Sequence, residues 1–229
     1  MKTIGLIGGT TWHSTIEYYR IINETVKEKL GKSHSARCIL YSINFEETVV
    51  QNQGRWDVIS KSFIDITKKL ENAGADFLII CANTMHKIAD DIENNANIPI
   101  IHIADVTAEK IIERGLSKVG LLGTSYTMEE GFYKERLKEK FNIETIIPEK
   151  NERDLTNKII LNELTQGKIM QSSKQRYLEI IENLIDKKAE GIILGCTEIP
   201  LLIKKDDVDI PIFDTTEIHA KAAVEYALK

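Results

Sequence analysis

Three stretches of this chain recur in the same order about half a chain apart. "IGLIGG" at 4–9 returns as "VGLLGT" at 119–124, and "GADFLIICANT" at 74–84 as "KAEGIILGCTE" at 188–198. "IPIIHIADVTAEK" at 98–110 returns as "IPIFDTTEIHAKA" at 210–222. The offsets are 115, 114 and 112 residues. Matches in fixed order at nearly constant spacing mark a duplicated unit of about 110 residues. Whatever fold the chain takes, it has to build the same unit twice.

Each copy alternates short β-rich runs with longer helical patterns. "TIGLIGG" reads as a strand and "TIEYYRIINETVKEKL" as a helix, with Ile16, Tyr19, Asn23, Val26 and Leu30 at helical spacing as its inward stripe. Ser14 or Thr15 is the expected cap. "ARCILYSINF" reads as a second strand, residues 56–72 as a helix stopped by "NAG", "ADFLIIC" as a third strand and "IPIIHI" as a further one. Strand and helix in alternation imply an α/β fold: two pseudo-symmetric lobes, each with a central, mainly parallel sheet. Open α/β sheets bind ligands beyond the carboxyl ends of their strands, so the expected site is a cleft between the lobes. The expected boundaries are 1–104 with 214–229 for the first lobe, and 105–213 for the second.

The repeat bears on which cysteine can be chemical. With Ala75 aligned on Ala189, Cys81 faces Gly195 and Ala82 faces Cys196. The two cysteines are therefore one residue out of register, and in a strand that reverses the direction of the side chain. If Cys196 is the active thiol, Cys81 is a core residue and Ala82 holds the matching position. Cys38 reads as core.

Composition narrows the partners. Acidic side chains outnumber basic ones, 35 to 30, for a net charge of −5, which argues against nucleic acid and anionic membranes. No apolar run approaches the roughly 20 residues of a membrane helix, and "MKTIGLIGG" lacks the pattern of a signal peptide. Three cysteines without a CxxC form no disulfide framework. A cytoplasmic location is expected. "GLIGGTTWHST" matches neither GxGxxG nor the phosphate-binding GxxxxGK[ST] pattern, and the five histidines show no metal spacing, so neither nucleotide nor metal is expected.

Several segments together, "MKTIGLIGG", "STIEYYRIIN", "HSA", "NTMHKIAD", "HIAD", "LLGT" with "YTMEEGFY", "GCTEIPLL" and "FDTTEIHA", make the chain resemble the aspartate/glutamate racemase family nearly end to end. Within it, the sequence is similar to racemases of broad or acidic amino-acid specificity. The resemblance implies a cofactor-independent, dimeric enzyme acting on a free amino acid, with one thiol from each lobe on opposite faces of the substrate α-carbon. The second of those thiols lies in "GCT", which is intact here, so the role carries to Cys196. The first directly precedes "NT", where this chain has Ala82; one branch of the family has threonine there.

That chemistry needs a base on one face of the α-carbon and an acid on the other, and donors to hold the carboxylate and the developing charge. The candidate donors follow predicted strand ends: Gly9 and Thr10 with Trp12 as a cleft wall, Asn83 and Thr84, Thr124 and Thr127, and Thr197. Amides around Cys196 would favour its thiolate. Glu198 either polarises the thiol, orients the substrate ammonium, or caps a helix. His86 either backs the "NT" loop, caps a helix or lies at the surface. Arg55 and Lys168 either pair with a substrate side-chain carboxylate or are solvated, and "KKDDVD" at 204–209 reads as an exposed turn. Two alternatives stay open: a single-cysteine decarboxylase, since arylmalonate decarboxylases resemble this fold and keep only the second-lobe thiol, and an amino-acid-binding protein with a disabled site.

Overall fold

Strand β1 (Ile4–Gly8) is buried at every residue, as its uninterrupted apolar run requires of a strand covered on both faces. It lies in the middle of a parallel sheet in the computed structural model, which describes all residues, Met1–Lys229. Helix α1 (Trp12–Leu30) follows it, then β2 (Cys38–Ser42), a short α2 (Phe45–Thr48), α3 (Trp56–Asn72) and β3 (Phe77–Ile80). After a 3-10 turn at Thr84–Ile88 come α4 (Ala89–Glu93) and α5 (Ile103–Glu113). The strand order is β2-β1-β3. Side chains alternate across this sheet. Ile7, Leu78, Ile80 and Ala82 belong to one apolar cluster, with Phe63 and Ile59 of α3. Ile4, Leu6, Phe77, Ile79 and Cys81 belong to the other, with Tyr18 and Ile22 of α1.

The second half repeats the plan. It runs β4 (Lys118–Gly123), α6 (Ser125–Glu129), α7 (Gly131–Phe141), β5 (Glu144–Ile146), α8 (Lys150–Asn162) and α9 (Gln171–Asp186). β6 (Ile192–Gly195), α10 (Ile199–Leu202), β7 (Ile212–Asp214) and α11 (Thr215–Leu228) complete it. Its parallel sheet has the order β5-β4-β6-β7. The chain divides into Met1–Ile103 with His219–Lys229, and Ala104–Ile218. The return of residues 219–229 to the first unit follows from Ala220, Ala223, Val224 and Ala227, which complete the cluster around Cys81.

Four local expectations are corrected. "IPIIHI" is not a strand: it makes one parallel bridge, Leu78 to Ile100, in the sheet position that β7 holds in the second unit. The groups that would continue the ladder are taken by side chains: Ile101 O accepts from His219 Nε2 at 2.7 Å, and Ile103 N–H donates to His86 Nε2 at 3.2 Å. Helix α1 starts three residues before its predicted start and is capped by Thr11, whose hydroxyl accepts from Ser14 N–H, so neither Ser14 nor Thr15 is the cap. Its inward stripe is also different. Ser14, Thr15, Tyr18, Ile22, Thr25 and Val26 are buried, while Ile16 and Tyr19 are 53% and 54% exposed. The helix approaches β1 closely, so that a Cβ on Gly8 would sit 2.5 Å from Thr15 Cγ2. Small hydroxyl residues fit that approach and large aliphatic ones do not. Cys38, on the edge strand β2, is half-buried rather than core, and burial raises its thiol to about 11.

Candidate active site

In each unit, a central strand and its neighbour end in a loop rich in small and hydroxyl residues. In the first unit, β1 runs into Gly9–Thr10–Thr11. Gly9 has φ +89°, and a Cβ there would lie 2.4 Å from the Ile43 carbonyl oxygen, so the turn requires glycine. Its N–H donates to Thr15 Oγ1 at 2.9 Å. Thr10 Oγ1 is buried without a hydrogen-bond partner in the protein. Trp12 is 61% exposed and stacks on His13, with ring centroids 3.6 Å apart.

Strand β3 ends beside this loop. Cys81 N–H donates to Ile7 O at 2.9 Å, and the next amide, Ala82 N–H, turns back to Ile80 O at 2.8 Å. Ser14 Oγ lies 3.3 Å from Cys81 O and braces the strand end against α1. Asn83 is buried and Thr84 half-buried. Cys81 is wholly buried, and burial pushes its thiol far up, which leaves it inert.

Strand register gives the repeat a structural form. Ile7 pairs with Ile80, and Leu122, its repeat partner, pairs with Leu194. Two residues beyond Ile80 is Ala82; two residues beyond Leu194 is Cys196. Ala82 and Cys196 therefore occupy equivalent places in the two units, and Cys81 lies on the opposite face of its sheet.

In the second unit, Cys196 is 9% exposed at the end of β6. Its Sγ donates to Glu198 Oε2 at 2.9 Å, and Thr197 Oγ1 donates to the same oxygen at 2.7 Å. Glu198 stands at the N-cap position of α10, yet its side chain makes no capping bond. The carboxylate serves the thiol instead. The expectation that amides would favour the thiolate is corrected. The N–H groups of Glu198 and Thr197 do act in that direction, but burial first, and then the Glu198 charge, raise the thiol well above its ordinary value. The resting group is a protonated thiol with its proton acceptor in place.

Thr124 caps α6, accepting from Thr127 N–H at 3.3 Å, and the two hydroxyls are 3.1 Å apart. Thr127 is fully buried, against Gly123 and Gly195. Arg55 and Lys168 are exposed. His86 is buried, so a surface position for it is ruled out. No group of three His, Cys, Asp or Glu side chains is arranged to hold a metal ion. Residues that the sequence left unmarked also shape the first unit: Thr11, Tyr18 and His219. Thr11 was findable as a hydroxyl three residues before Ser14; nothing in the spacing ties His219 to His86.

The Asp/Glu/Hydantoin racemase family model matches residues 7–223. The chain belongs to this family. A broad specificity amino-acid racemase, RacX, from Bacillus subtilis (strain 168) is 29% identical over 168 residues, covering 73% of this chain and 72% of that relative. A glutamate racemase from Hydrogenobaculum sp. (strain Y04AAS1) is 31% identical, over 58% of this chain and 50% of its own length. Among solved structures, an aspartate racemase homologue from Pyrococcus horikoshii OT3 superposes with a TM-score of 0.89 at 42% identity, over the whole of both chains. A Yersinia pestis protein described provisionally as an Asp/Glu racemase reaches a TM-score of 0.95 at 49% identity, again over both chains in full. As a member of the racemase family, the chain is an enzyme of the isomerase class. No helix of this racemase is long and apolar enough to cross a membrane.

Proposed function

We propose that this chain is a cofactor-independent racemase of free amino acids, aspartate and glutamate among them, in which Cys196 exchanges the α-proton. The observation that carries the reading is the Cys196 Sγ–H to Glu198 contact at 2.9 Å. Transfer of the thiol proton to Glu198 leaves a thiolate. Burial makes that thiolate a stronger base than an exposed one, as removal of a weakly acidic C–H demands. The thiolate takes the α-proton, and the electron pair is left on the α-carbon and spread into the carboxylate. Backbone N–H groups and hydroxyls in the segments at Gly9–Thr10, Asn83–Thr84 and Thr197 are assigned to that carboxylate.

The racemase resemblance implies a second acid or base in the first unit. The equivalent residue is Ala82, whose methyl group has no proton to give, so the second proton is assigned to solvent. This makes the enzyme one-sided: one enantiomer exchanges its α-hydrogen with solvent faster than the other enantiomer appears. Free thiols at 38, 81 and 196 fit a reducing cytoplasm, and the family resemblance supports a homodimer.

Incubation in heavy water with each enantiomer of aspartate, glutamate and several neutral amino acids tests the reading. The expected outcome is α-deuterium in one enantiomer ahead of net racemisation, loss of exchange by at least about a hundredfold in Cys196→Ser, and a gain of two-way racemisation in Ala82→Cys. Equal, fast racemisation from both enantiomers of the unsubstituted protein contradicts the one-sided mechanism. Ala82 also fits a second reading, the single-cysteine decarboxylase. There one thiol suffices to reprotonate the carbanion, and carbon dioxide released from a malonate would decide for it. Tight amino-acid binding without any exchange would mark a disabled site.

A further inference from the structure

Residues 98–103 make a single bridge to the first unit's sheet, where the second unit has a strand. Two buried histidines hold this segment. His219, on α11, places Nε2 2.7 Å from Ile101 O, and Tyr18 O–H lies 2.8 Å from its Nδ1. A carbonyl can only accept, so His219 carries its hydrogen on Nε2 and accepts from the tyrosine. His86 has the opposite tautomer. Its Nδ1 is 2.8 Å from Ala82 O, while Ile103 N–H donates to its Nε2 at 3.2 Å. The hydrogen of His86 is therefore on Nδ1. The His86 ring packs edge-on against His219 and His102, with centroids 5.5 and 4.7 Å away. A second proton on His86 would set N–H against N–H at Ile103 and bury a charge among these rings.

The bond to Ala82 O matters more than its place in the packing. The 82–83 peptide is trans, as every peptide in the chain is. In a planar trans unit the C=O and the following N–H point in opposite directions. Whatever fixes the Ala82 carbonyl therefore aims the Asn83 N–H. The backbone just before it is already tied, through Cys81 N–H and Ala82 N–H. On that plane, His86 Nδ1–H holds the carbonyl of Ala82.

We propose that His86 is a positioning residue: its neutral, Nδ1-protonated ring fixes the Ala82 carbonyl and so aims the Asn83 N–H at the substrate carboxylate. This rests on the reading of Asn83–Thr84 as a carboxylate-binding segment. Two substitutions separate the role from general packing. In His86→Asn the side-chain amide can still donate to Ala82 O but gives up Ile103. In His86→Gln the longer side chain can still accept from Ile103 N–H but leaves Ala82 O.

The test measures α-deuterium exchange with whichever of aspartate, glutamate and alanine the unsubstituted protein exchanges fastest. His86→Gln is expected to raise KM about tenfold with a smaller effect on kcat, and His86→Asn to raise KM by less than about threefold, the difference being one hydrogen bond. Equal KM changes in the two variants, following their loss of stability, overturn the proposal. Two further readouts need no activity. NMR of ring-labelled histidine in the unsubstituted protein should show the Nδ1–H tautomer of His86 at neutral pH; the Nε2–H form or an imidazolium overturns the proposal. The Asn83 amide resonance should move in His86→Gln and stay nearly in place in His86→Asn; the reverse order also overturns it. If no amino acid is exchanged by the unsubstituted protein, the racemase reading falls, and the tautomer and the Asn83 resonance still decide the role of His86.

Discussion

The thiol of Cys196 keeps its proton because burial and the Glu198 carboxylate act together, and the two nearby amides are outweighed. The same carboxylate is the acceptor through which that proton can leave. Glu198 thus has opposite effects on the thiol's ease of ionisation and on its use. Glu198→Gln removes the charge that raises the thiol, so the thiolate fraction at pH 8 should rise, about tenfold for each unit by which the thiol pKa falls. Peptide-resolved alkylation of Cys196 by iodoacetamide should speed up accordingly. The amide cannot take the proton as a carboxylate does, so α-deuterium exchange should fall by at least about a hundredfold. Faster alkylation with slower exchange is the signature of a proton acceptor. Parallel changes in both rates would show that Glu198 only shapes the thiol's surroundings.

At the scale of elements, α1 shows how helical periodicity can select the wrong face. Ile16 and Tyr19 have the right spacing for a core stripe, yet the buried face carries Ser14, Thr15 and Tyr18. Ile22 is fully buried against the first sheet and Ile16 is 53% exposed. Ile22→Ala should therefore cost about 2–5 kcal/mol in urea unfolding, and Ile16→Ala no more than about 0.5 kcal/mol. A cost at Ile16 comparable to that at Ile22 would contradict the orientation of the helix. The duplicated strands were legible because a parallel strand buried on both faces is written as an apolar run, and because the repeat gave each run a second copy. The same register exposed Ala82 as the partner of Cys196. The face of α1 was not legible, since it depends on hydroxyls meeting strand ends and on Tyr18 meeting His219, 201 residues later. Residues 98–103 were misread for a related reason. Their pattern matches the strand at Ile212–Asp214, but their hydrogen bonds come from histidines distant in sequence. The thiol's direction was misread because amides at a strand end are visible in a motif, whereas the depth of burial is not.

For the whole molecule, the consequence of the histidine arrangement is a dependence of stability on acid. His219 belongs to the segment that returns to the first unit, and burial pushes it down to about 4 from an ordinary value near 6.5. The bond to Ile101 O acts the other way and is the smaller effect. A depressed histidine binds its proton more readily when the chain is unfolded. Its contribution is therefore intact above about pH 6.5 and is lost as the pH falls toward 4, by on the order of 3 kcal/mol in all. Asp214 opposes this. Burial raises its carboxyl, so its preference for the folded state is greatest in acid, below its ordinary value of 3.8, and is lost as the pH rises through the raised value. The two groups act with opposite sign, and comparing the unsubstituted protein with a His219 variant between pH 6.5 and 5 isolates the histidine's share. Urea midpoints measured across that range should fall with acid in the unsubstituted protein. In His219→Gln, which has no proton to gain, the curve should start lower, because Tyr18 and Ile101 lose their partner, and should then run flatter. A variant whose midpoint falls with acid as steeply as that of the unsubstituted protein would remove His219 as the cause.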